Sequence, residues 1–119
     1  MPSRDEHVKK ATENESFASR LDTNTQASIN WKLIVLFYTA LHYVEAYLAK
    51  AMNQHLRVHT TRDSMVSRES QLRVIRTEYA HLKYYGFNAR YEADQFTAKD
   101  VTEALGYLTL VKNKIMPLL

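Results

Sequence analysis

The sequence has no cysteine, which removes disulfides, thiol nucleophiles and zinc–thiolate sites together. Any chemistry must come from His, carboxylates, Arg, Lys, Tyr or hydroxyls, and the setting that fits is cytoplasmic. Glycine and proline are nearly missing too, two of each in 119 residues, so tight turns are few and a glycine-rich phosphate loop is excluded. Long apolar runs are also absent. The longest, in "LIVLFYTALHYVEAYLAK" (Leu33 to Lys50), is broken by Thr39 and His42 and falls short of the roughly 20 residues of a membrane span. The opening "MPSRDEHVKKATENES" is too charged for a signal peptide. No strong excess of one charge exists either: the net charge is +3.

What remains is a chain that is 45% hydrophobic, enough for one buried core, with no repeat, low-complexity stretch or linker to divide it. Residues 1–119 are expected to form a single all-α domain, a four- or five-helix up-and-down bundle. The first helix runs from about Asp5 to Leu21, with Val8, Ala11, Ala18 and Leu21 near one stripe and Phe17 less regularly placed. The polar "DTNTQ" caps a second helix from about Ala27 to Asn53. That helix is apolar on several sides and reads as the central mast of the bundle. Thr60 or Thr61 caps a third, in which Met65, Leu72, Ile75, Tyr79 and Leu82 recur until Gly86 interrupts "YYGFNARY". A last helix opens on Thr97 with Asp100 in its first turn, lays Val101, Leu105 or Ala104, Leu108, Val111 and Ile115 along one face, and stops at Pro117.

The mast contains the puzzle. Tyr38 and His42 lie about 40° apart around the helix, and His42 and Glu45 about 60°, so Tyr38, Thr39, His42 and Glu45 form one narrow polar stripe. Either His42 and Glu45 satisfy themselves at a bundle rim, or the stripe faces a cleft completed by cations from elsewhere. Those cations are concentrated. Residues 54–92 carry seven Lys and Arg against four Asp and Glu, an excess equal to the whole +3, with Tyr79, Tyr84, Tyr85 and Tyr91 among them. A basic, aromatic segment of this kind suits nucleic acid or a nucleotide, and equally a solvated helix face.

Four blocks, "HVKKATENESFASRL" from His7, "FYTALHYVEAYLAK" from Phe37, "HTTR" from His59 and "YAHLKYYGFNARYE" from Tyr79, together resemble the HEPN family of prokaryotic helical domains over nearly the whole chain. The resemblance implies a dimeric all-α bundle acting in RNA metabolism, toxin–antitoxin or defence systems, often beside a small nucleotidyltransferase. It also implies candidate sites. The family's hallmark is an Arg followed after four to six residues by a His, used in metal-independent RNA cleavage. Its literal match here is "RTEYAH", Arg76 to His81, with His81 as general base and Arg76 stabilising the phosphorane. On a continuous helix the two would diverge by about 140°. The family-like blocks otherwise assemble Asn14, Glu15, Tyr38, His42, Glu45, His59, Arg62, Arg90 and Tyr91, a set suited to gripping a phosphate or to forming an internal ionic strut.

Other readings are weaker. His55 and His59 have helical metal spacing, but no third ligand accompanies them and the segment reads as a loop. His42 before Glu45 reverses the order of a di-iron motif. The expectations are therefore no metal, no cofactor and no membrane. The function expected is an RNA-, nucleotide- or nucleotidyltransferase-binding module, with a ribonuclease toxin as the alternative and a DNA-binding regulator further off. A homodimer is expected to cover the surplus apolar surface of the mast.

Overall fold

A computed structural model describes residues 2–53, 59–91 and 95–119, with Thr60 and Tyr91 described by backbone alone. Five α-helices and no strand make up these residues: α1 (Arg4–Ser19), α2 (Gln26–Met52), α3 (His59–Arg68), α4 (Arg76–Tyr91) and α5 (Ala98–Ile115), with 3-10 turns at Arg73–Ile75 and Met116–Leu118. No helix among them is long and apolar enough to cross a membrane. His55, Arg57 and the side chain of Tyr91 lie outside the described residues.

The helices begin where side chains replace missing backbone partners. Ser3 and Glu6 form a capping box on α1, Thr25 accepts from the Ser28 amide at the start of α2, and Thr97 with Asp100 forms a second capping box on α5. Each such cap stabilises its helix by about 1 kcal/mol. At the far end of α2, Asn53 takes the left-handed conformation (φ 51°, ψ 43°), the usual terminator where glycine is absent.

The mast is central, as its girth predicted. Helix α2 packs against α1, α4 and α5, and Leu33, Leu36, Phe37, Ala40, Tyr43, Val44 and Leu48 are all nearly inaccessible. Contacts at the two ends fix the direction of the helices. Arg4 at the start of α1 and Lys50 near the end of α2 both donate to the Leu119 oxygen just beyond α5. At the other end Gln26 donates to the Phe96 carbonyl between α4 and α5. Helices α1, α2, α4 and α5 thus alternate in direction, and short α3 is tied to α4 by the Asp63–Lys83 ion pair.

Two expectations about the third helix are corrected. The continuous helix read from Thr60 to Gly86 is divided, because the Glu69 carboxylate accepts from the backbone amides of Gln71 and Leu72 and so caps a turn that competes with helix propagation. The turn delivers Leu72 to the core. Gly86, read as a break, lies inside an unbroken α4. A Cβ there would sit 2.7 Å from the Cβ of Phe37, so glycine lets α4 approach α2 closely. On α1, Ala11 and Ala18 are buried as expected, but His7, one turn before Ala11, completes the stripe, and Phe17 is 43% exposed. On α5 the buried alternative is Ala104 and the exposed one Leu105.

Candidate functional site

The polar stripe of α2 resolves into two regions. Inward, Glu45 is wholly inaccessible and Arg62 of α3 almost so. The Arg62 Nε donates to Glu45 Oε1 at 2.6 Å, and Arg62 Nη1 lies 3.0 Å from His59 Nδ1. A guanidinium has only donors, so His59 Nδ1 accepts and the ring is neutral with its proton on Nε2. Burial holds the His59 pKa below its ordinary value, and the charges of Arg62, Lys83 and Arg90 lower it further against an opposing effect of Asp63. Phe37 and Phe87 pack against the same ring, Phe87 edge-on at 5.1 Å between centroids.

Outward, the stripe opens into a groove of about 440 Å³ between α1, α2 and the end of α4, lined by Lys10, Asn14, Trp31, Ile34, Val35, Tyr38, His42 and Arg90. Arg90 Nη1 donates to the Tyr38 hydroxyl at 2.6 Å. His42 Nδ1 lies 3.1 Å from Nδ1 of His7, so one imidazole donates while the other accepts, and a proton on both facing nitrogens would abolish the contact. Trp31 is 58% exposed, a large indole left at the mouth. His59, 6.5 Å from the Tyr38 ring between centroids, joins the inner cluster to this outer groove.

The structure therefore brings together Asn14, Tyr38, His42 and Arg90 in the groove, and Glu45, Arg62 and His59 behind it. It separates Glu15 from its neighbour Asn14. Glu15 turns to the other side of α1, where it accepts from the Tyr43 hydroxyl at 2.9 Å and from Lys112 of α5 at 3.1 Å. Burial, and then Glu15, raises the Tyr43 pKa. Three participants were missed in the sequence. A stripe drawn through Val8 misses the adjacent His7, although its spacing from Ala11 and Ala18 marks it. Lys10 and Trp31 carry no signal without the packing of α1 on α2.

Arg76 and His81 are not brought together within the chain. Arg76, the first residue of α4, lines a groove against α3, whereas His81 stacks on Tyr107 of α5 at 4.7 Å with the rings nearly parallel. The unbroken helix between them enforces the divergence. The basic excess of residues 54–92 is also partly internal, since Arg62 is buried on Glu45 and Lys83 pairs with Asp63. Among the described residues no three His, Asp or Glu side chains gather as a metal site.

No model of a known protein family, no curated protein and no solved structure matches this chain.

Proposed function

We propose that the protein is a HEPN-like module that binds single-stranded RNA through the groove between α1, α2 and the end of α4. The observation that carries this reading is the company Trp31 keeps. An exposed indole stands beside two cations, Lys10 and Arg90, an amide, Asn14, and an imidazole, His42. Bases stack on aromatic faces whatever their identity, while cations hold the phosphates that link them. A nucleotide would use the same contacts singly. In this reading the chain works as a cytoplasmic homodimer in a toxin–antitoxin or defence setting, with a small nucleotidyltransferase as a further partner, as the resemblance of its sequence blocks implies. The exposed Val74, Leu105 and Leu110 supply apolar surface for such an association. Catalysis by Arg76 and His81 would need the two residues to come from different copies, which makes binding the better-supported role.

The chain has a single tryptophan, and it reports on the groove directly. Titration with a short oligouridylate should quench Trp31 emission, and the affinity should fall with salt. Lys10→Ala and Arg90→Ala should each lower the slope of log affinity against log salt by about 0.7. An oligonucleotide that leaves Trp31 emission unchanged at low salt, or salt slopes unaltered in both variants, would refute the assignment.

A further inference from the structure

Helices α1 and α5 both pack on α2 but scarcely on each other, and a groove of about 310 Å³ lies between them, with no part in the RNA-binding reading. Ala18, Leu36 and Leu108, buried in the core, close its floor, and Leu105, 41% exposed, stands at its lip. The polar groups that line it all reach solvent: Lys32, Ser19, Thr109 and the Lys112–Glu15 pair. A concave apolar surface with a few convergent polar groups is what small-molecule sites share. These groups are unequally satisfied. Both Glu15 oxygens are engaged, one by the Tyr43 hydroxyl and the other by Lys112, which leaves that end of the groove neutral. Lys32, half-buried, donates to the Leu21 carbonyl at 2.9 Å and makes no ion pair among the described residues. An ammonium has three donors, so its charge and its further donors are left to a ligand.

The order of groups along the groove specifies the ligand. Helices α2 and α5 start side by side, where Gln26 donates to the Phe96 carbonyl just before α5. Counted from Gln26 and from Ala98, Lys112 lies about eight residues further along than Lys32, or about 12 Å. Leu105 falls between them. One uncompensated cation, an apolar stretch beyond it and a neutral ion pair at the far end match an anion of single charge with a short apolar tail. The Glu15 carboxylate disfavours an anion at its own end, which fixes the direction. We propose that the groove between α1, α2 and α5 binds a short-chain carboxylate, with its carboxylate on the Lys32 ammonium and its tail on Leu105 and the methylene stem of Lys112. Val74 and Leu110, outside the groove, remain exposed for association between copies.

Chemical-shift titration of the full chain with hexanoate, hexanol and acetate tests this. Hexanoate should move the amides of Ser19, Leu105 and Thr109 and saturate at millimolar concentration, while the indole N–H of Trp31 in the RNA-binding groove stays in place. It should bind about tenfold more tightly than hexanol, which lacks the charge, and about tenfold more tightly than acetate, which lacks the tail. Lys32→Met keeps the stem and removes the charge, so it should bring hexanoate to the affinity of hexanol. Leu105→Ser, at an exposed position, should weaken hexanoate and hexanol alike and leave acetate unchanged. The dispersion of the same spectra shows that each variant is folded. The proposal is overturned if hexanoate moves no groove amide at millimolar concentration, if hexanol binds as tightly as hexanoate, if Lys32→Met binds hexanoate like the parent, or if the Trp31 indole moves in step with the groove amides.

Discussion

Two guanidinium groups reach the mast helix from opposite exposures, and they do different work. Arg62 meets Glu45 where neither touches water, while Arg90 meets Tyr38 at an exposed rim. Within a low-dielectric interior a pair holds together because separating it strands a charge, and that penalty is large whether or not the pair itself adds net stability. At a rim the guanidinium keeps much of its water and contributes little to folding. The same residue type is thus an internal tie in one place and a contact group in the other. Burial decides which.

The sharpest way to break the comparison is to remove one partner of the inner pair. Glu45→Ala should destabilise the fold by about 3–5 kcal/mol, read from urea unfolding midpoints, because Arg62 is left buried without its carboxylate. Arg90→Ala, at the rim, should change stability by no more than about 0.5 kcal/mol in the same assay. Equal losses in the two variants would erase the distinction. Next in size is Gly86→Ala. The new methyl meets Phe37 Cβ at 2.7 Å, between two packed backbones with little room to shift, and should cost about 1–3 kcal/mol by thermal unfolding despite the better helix propensity of alanine. If instead the variant is more stable, the close approach of α4 to α2 is not what keeps glycine there.

A smaller effect follows from His59, whose pKa is lowered in the folded state by burial and by Arg62. In the unfolded chain it titrates near 6.5. As pH falls through that value toward the lower folded pKa, the unfolded chain takes up the proton first, so this contribution to stability is complete above about pH 6.5 and declines below it. His59→Phe should flatten that part of the stability–pH profile in chemical denaturation. A profile unchanged by the substitution would remove His59 from the inner cluster's energetics.

The contrast between the regions also marks what was legible in the sequence. A carboxylate on a helix apolar all round demands a cation, and the family-like sequence blocks supplied Arg62 and Arg90 as its candidates. The caps at Thr97 and Asp100 and the central position of α2 were equally readable, being set by local spacing. The outer groove was only half visible. Asn14, Tyr38, His42 and Arg90 stood out as polar residues in sequence blocks, but Lys10, Trp31 and His7 gain significance only from the packing of α1 on α2. The third helix misled for another reason. Apolar residues at helical intervals continue from Met65 to Leu82, and periodicity does not register that Glu69 satisfies the amides of a turn. Nor does it separate a glycine that ends a helix from one that lets two helices touch.

The division between tie and contact group is tested most directly by the double variant Glu45→Leu with Arg62→Met. Removing both charges together leaves nothing stranded, and apolar replacements of similar volume commonly restore stability. The account predicts a protein that unfolds cooperatively near the parent's midpoint and quenches Trp31 on oligouridylate addition with the parent's affinity. A double variant that folds equally well but no longer binds the oligonucleotide would contradict it, because the inner pair would then belong to the binding site.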